Sequence, residues 1–153
     1  MITSLTTLDH VSVTVSDLER SLAFYRDTLG LKEVERHRLE GETISTMVAK
    51  AHVVMQVVRL VAPETPGIMI DLQQYVEPGG SISTAQLGDV AHSHFCFGVK
   101  DMGNACRELR ERGVELVSDP VVFHLSSGEL KVVFLKDPDG FVLELVEYPE
   151  STD

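Results

Sequence analysis

Two stretches of this chain match step for step. Gly67-Ile-Met-Ile-Asp71-Leu-Gln-Gln-Tyr75 reads against Gly140-Phe-Val-Leu-Glu144-Leu-Val-Glu-Tyr148. Earlier in each half, His10 and His94 stand seven residues before an aspartate, Asp17 and Asp101. The chain therefore reads as two copies of one small unit, each with a histidine early and a carboxylate late. Two histidines and two carboxylates, brought together by pseudo-symmetry, would make a divalent-metal site.

The 153 residues, 43% of them hydrophobic, can bury a proper core in one domain. No charged-then-apolar leader opens the chain, and no apolar run approaches about 18 residues, so neither secretion nor a membrane span is expected. Cys96 and Cys106 lack zinc or redox spacing, and are expected to be reduced, buried thiols in a cytoplasmic protein. The net charge is −11 without a basic cluster, which argues against nucleic acid and anionic membranes as partners. A small anionic substrate stays possible, because a bound metal inverts the local charge.

Periodicity gives the order βαβββ twice. Leu8 to Val15 alternates as a strand, with His10, Ser12 and Thr14 on one face. Ser16-Asp17-Leu18-Glu19 opens a helix, and Gly30 stops it. Strands follow near 32–38, 52–61 and 68–75, with a short helical turn possible within 41–50. Residues 1–78 form the first module, 79–90 a linker and 91–153 the second module. The second starts with a strand over 91–99, placing His92, His94 and Cys96 on one face. A helix over 102–112 follows, then a short strand over 114–117. Residues 119–128 read as a loop with Phe123 and His124 near its tip. A hairpin over 130–135 and 141–148 turns at Asp137-Pro138-Asp139-Gly140.

Alternation puts Asp71 and Glu144 mid-strand within apolar runs. A lone buried carboxylate costs several kcal/mol, so each demands a cation or strong hydrogen bonds. One metal shared with two imidazoles would satisfy both. The plainer reading is four unrelated side chains: His10 as a hydrogen-bonded core histidine, and Asp71 paired with Arg36 or Arg59.

Leu8-Asp9-His10-Val11, Asp17 to Leu31 with Phe24-Tyr25 and Leu29-Gly30-Leu31, Asp71-Leu72 with Tyr75, His94, and Asp137-Pro138-Asp139-Gly140 through Glu144-Leu145 together resemble one family. It is the vicinal oxygen chelate superfamily, also called the glyoxalase/bleomycin resistance/extradiol dioxygenase family. The resemblance covers nearly the whole chain. It implies an α+β fold of two tandem βαβββ modules forming a cup-shaped mixed sheet around a metal site, within one chain or across a homodimer. It places metal ligands at His10, Asp71, His94 and Glu144, and catalytic carboxylates at Glu144 and Asp71. Many relatives carry Glu or Gln where this chain has Asp71. The implied cofactor is a divalent ion: Zn, Ni, Co, Mn or Fe.

On this reading the chain is a metal-dependent enzyme acting on a small-molecule carbonyl substrate. It is a glyoxalase-like lyase or epimerase that abstracts a proton beside the carbonyl and stabilises the enediolate. The alternatives are an extradiol-type dioxygenase, with His10, His94 and Glu144 on Fe(II), and a non-enzymatic protein that sequesters a drug or metabolite. His92, Gln73, Phe123 and His124 are candidate substrate contacts. Gln56 is a further candidate for the pocket; for each, simple surface exposure or packing is the plainer reading.

Overall fold

The computed structural model describes residues 4, 6–64 and 67–149. Pro66 and residues 150–153 lie outside them. The chain divides into two compact units, residues 1–82 and 83–153.

The first unit runs β1 (His10–Thr14), α1 (Leu18–Tyr25), β2 (Lys32–Glu40), α2 (Glu42–Met47), β3 (Val54–Val61) and β4 (Met69–Glu77). The second runs β5 (Phe95–Gly98), α3 (Met102–Glu111), β6 (Val121–Leu125), β7 (Gly128–Lys136) and β8 (Val142–Glu147). Each builds a four-stranded sheet, β1-β4-β3-β2 and β5-β8-β7-β6, in the same order. In both, the first and last strands pair parallel and the other neighbours antiparallel. This is the βαβββ unit twice, in an α+β fold, with the short α2 as an addition to the first.

The repeated sequence acts through helix capping. Asp17 and Asp101 accept from the backbone N–H of Arg20 and Asn104, each at 2.9 Å. The last strand then closes the same helix start. Gln74 Oε1 accepts from Leu18 N at 3.0 Å, and Glu147 Oε2 from Met102 N at 2.6 Å. These bonds take up first-turn N–H groups that have no partner within the helix.

One face of each sheet carries the core. In the first unit, α1 lies against β4 and buries Leu18, Leu22 and Tyr25. The sheet answers with Val13, Val58, Leu60 and Leu72, all at most 4% exposed. In the second, Met102, Cys106 and Leu109 of α3 are buried along with Val133, Leu135, Leu143 and Leu145. Each such large side chain contributes about 1.5–3 kcal/mol of transfer free energy. The opposite face carries Asp71 and Gln73 in the first sheet and Glu144 in the second, among further apolar side chains.

The β7–β8 turn forms where the sequence places it. Asp137 is buried and its Oδ1 accepts from Asp139 N at 2.9 Å and Phe141 N at 2.8 Å. Gly140 supplies φ +87°, which a side chain would resist.

Several expectations need correction. The second strand of the second unit is β6, Val121–Leu125, within the segment expected to loop. The expected strand over 114–117 is only an isolated bridge, Leu116 to Leu135. β5 begins at Phe95 rather than near 91. Cys96 is exposed, not buried, because it shares the Glu144 face of the sheet, away from the core under α3; Cys106 is buried in that core. Among the described residues, no helix is long and apolar enough to cross a membrane.

Candidate metal centre

Each module brings one histidine and one carboxylate together. In the first, Ser12 pairs in register with Asp71; in the second, Cys96 pairs with Glu144. His10 and His94 stand two residues earlier, so both modules use one construction. The parallel pairing of first and last strands is what carries each histidine to its carboxylate.

His10 Nε2 lies 3.8 Å from Asp71 Oδ2, and His94 Nε2 lies 2.9 Å from Glu144 Oε2. Both imidazoles are 40% exposed, while the two carboxylates are 6% and 18% exposed. Donors each about 2.1 Å from one ion can lie up to roughly 4.2 Å apart, so either pair fits two sites on a divalent metal. His10 Nδ1 is bonded to Asp9 Oδ2 at 2.8 Å, which leaves Nε2 facing Asp71. Metal-binding histidines use such a carboxylate to fix the ring. The same bond holds the Asp9 carboxyl below its ordinary range. Among the described residues, no three or more His, Cys, Asp or Glu side chains gather into a metal-binding group.

Asp71 is already engaged. Arg59 Nε and Nη2 grip its Oδ1 and Oδ2 at 2.8 and 2.9 Å. Of the two arginine partners open to it from sequence, Arg59 is the one it has; Arg36 bonds Glu33 and Glu19 instead. The Asp71 hydrogen bond is the leading cause that raises the Arg59 guanidinium above its usual range.

Glu144 sits in a different setting. Phe134 is its register partner on β7, and the Phe134 ring meets His94 edge-on with centroids 5.3 Å apart. Cys96 stands opposite Glu144 on β5. Its thiol is pushed up to about 11, first by desolvation and then by the charge and hydrogen bond of Glu144. It is a thiol at neutral pH, not a ready nucleophile.

The candidate substrate contacts divide. Gln73 shares the Asp71 face and donates from Nε2 to Ser12 Oγ at 3.0 Å. Beside it an apolar wall forms from Ile44, Val53, Met55 and Val57, with Val48 and Tyr75 packed on it. Sequence reading missed this wall, because α2 was visible only as an ambiguous segment. Phe123 pairs with Leu130 on the face of β7 that carries Val132 and Phe134, and is 52% exposed. His124 alternates to the other face and pairs with Glu129 at 3.6 Å. His92 does not share the His94 face. It precedes β5, its ring lies 6.5 Å from Phe141, which also packs on Phe95, and its Nε2 is buried without a hydrogen-bond partner. Gln56 falls on the α1 side of β3, paired with Gln74.

Two βαβββ modules, each presenting a histidine–carboxylate pair from its first and last strands, define a recognisable class of protein. The family model for the Glyoxalase/Bleomycin resistance protein/Dioxygenase superfamily matches residues 7–145, and the chain belongs to that superfamily. It is 28% identical over 144 residues to a lactoylglutathione lyase of Salmonella typhimurium, covering 93% of each chain. It is 26% identical to a probable lactoylglutathione lyase of Synechocystis, covering 94% of this chain and 97% of the other. The fold matches a glyoxalase family protein of Bacillus cereus with a TM-score of 0.83 at 22% identity, over 96% of this chain and 98% of that one.

Proposed function

We propose that this protein is a metal-dependent, glyoxalase-like lyase or epimerase, with His10, Asp71, His94 and Glu144 around one divalent ion. The observation that carries the reading is the repeated His–carboxylate pair in one register in both modules. Each pair offers an ion two donors, so a complete centre calls for both pairs, from one chain or from two chains of a homodimer. Mixed imidazole and carboxylate donors suit Zn, Ni, Co, Mn or Fe. A cytoplasmic setting fits the two free thiols.

The bound ion supplies Lewis acidity, polarising a substrate carbonyl and compensating the negative charge of the enediolate. The chain does the rest. His10 is aimed by Asp9, and His94 is braced by Phe134. Glu144 is the base that takes the proton beside the carbonyl and returns it: its carboxylate meets the His94 ring, where that of Asp71 is held by the Arg59 fork. Asp71 is the second candidate, held back by Arg59. Gln73 and Phe123, on the same faces as the two carboxylates, are the substrate contacts favoured here.

The test is metal-reconstituted protein assayed for formation and breakdown of lactoylglutathione, the compound in the relatives' names, and for exchange of a substrate α-proton with deuterated water. Metal-dependent exchange supports the reading; its absence with every metal and substrate tried counts against it.

A second reading rests on the Arg59 grip. If it takes Asp71 out of the centre, His10, His94 and Glu144 form the two-histidine, one-carboxylate set of Fe(II) oxygenases. Oxygen uptake with a catechol and Fe(II), without proton exchange, would select it.

A further inference from the structure

The two modules differ in what stands beside the carboxylate of the centre. A row of register-matched residues crosses the first sheet: Ser12 on β1, Asp71 on β4, Arg59 on β3 and Glu35 on β2. The matching row of the second sheet reads Cys96, Glu144 and Phe134. Where Glu144 has an aromatic ring, Asp71 has a guanidinium.

We infer that Arg59 competes with the ion for Asp71 and so lowers the affinity of the centre for metal. The inference rests on the four-residue centre proposed above. Arg59 is a positioning residue that acts through Asp71. Its fork occupies both carboxylate oxygens, the strongest geometry a side-chain cation can offer. Asp71 Oδ2 is the contested atom, bonded to Arg59 Nη2 at 2.9 Å and 3.8 Å from His10 Nε2. Because Asp71 is only 4% exposed, its charge demands a cation whether or not metal is present. Arg59 meets that demand in the metal-free protein, so an ion gains less from Asp71 than from a carboxylate left bare. Two further carboxylates hold Arg59 in place, Glu35 at 3.7 Å and Asp9 at 4.0 Å.

Most groups behind a metal ligand orient it and strengthen binding. Arg59 should act in the opposite direction. It is a full positive charge seeking the same lone pairs as the ion, and like charges near one carboxylate repel.

The experiment is a Co²⁺ titration of the metal-free protein, followed by visible absorption. Arg59→Met should bind Co²⁺ tighter by about tenfold or more, the scale on which groups behind metal ligands act. Arg59→Lys keeps the charge but loses the fork, and should fall between wild type and Arg59→Met. In an Asp71→Asn background, Arg59→Met should change nothing. Should Arg59→Met fail to fold with Asp71 unpaired, Arg59→Gln carries the same expectation, since it keeps a hydrogen bond and drops the charge. Equal or weaker binding in the uncharged variants overturns the inference, as does the same tightening when Asp71 is Asn. His94→Ala separates the two levels. If it leaves Co²⁺ affinity intact, the four-residue centre itself fails, and the role of Arg59 falls with it. If it weakens binding while Arg59→Met has no effect, only the inference about Arg59 fails.

Discussion

Glu144 Oε2 lies 2.9 Å from His94 Nε2 across the parallel β5–β8 pair, where Asp71 is held instead by Arg59. A carboxylate placed there can bind an ion and still move a proton. Glu144→Gln should therefore keep the fold and part of the metal while losing solvent exchange of the substrate α-proton. The loss should be about 10²–10⁴-fold, the usual worth of a positioned general base. Undiminished exchange would move the role to Asp71.

Asp9 should matter mainly through His10, which it bonds at 2.8 Å, and less through Arg59, which it meets only at 4.0 Å. Its bond to Nδ1 fixes the ring so that Nε2 faces Asp71. Asp9→Ala should weaken metal binding by roughly tenfold, as loss of such an orienting carboxylate does elsewhere. Melting temperature should hardly move, because Asp9 is 62% exposed. A metal titration beside a thermal melt reads both.

The Glu147 carboxylate ties three elements, accepting from Met102 N at the start of α3 and from Lys131 of β7, both at 2.6 Å. The Lys131 hydrogen bond, then that of Met102, holds its carboxyl below the ordinary value of 4.5. A carboxyl with a lowered folded pKa stabilises fully above its unfolded value, and that stabilisation fades as pH falls through the folded one. Glu147→Ala should cost about 1 kcal/mol at neutral pH, allowing for the exposure of Lys131. The difference from wild type should shrink in acid. Urea melts at pH 7 and pH 3 measure it, and a gap that widens in acid would contradict it.

Asp137 closes the last turn by accepting from two backbone N–H groups. Asp137→Ala would leave both in a buried turn without their partner, at about 1–3 kcal/mol. Denaturant unfolding should show a lower midpoint with an unchanged slope.

The repeat was legible because the same residues do the same structural work twice. Asp17 and Asp101 cap their helices, and the seven-residue spacing from each histidine is a strand's end plus one cap. The hairpin at Asp137 followed from turn chemistry in the same way. β6 was hidden because Val121-Val122-Phe123-His124-Leu125 has no polar alternation and every residue in it is exposed. His92 escaped because strand alternation was carried back over residues that form a turn before β5. At the site, the sequence pointed to Asp71 and left two arginines open as its partner. Register decides between them: Arg59 faces Asp71 on the adjacent strand, while Arg36 lies on β2.

The central claim is that His10 and His94, from different modules, serve one ion. Its most direct test is metal content of dialysed protein by mass spectrometry, for wild type, His10→Ala and His94→Ala, each loaded with the same metal. Both variants should lose the same ion, each retaining well under the wild-type amount. If either variant keeps the full wild-type metal content, the two histidines do not share an ion and the account is wrong.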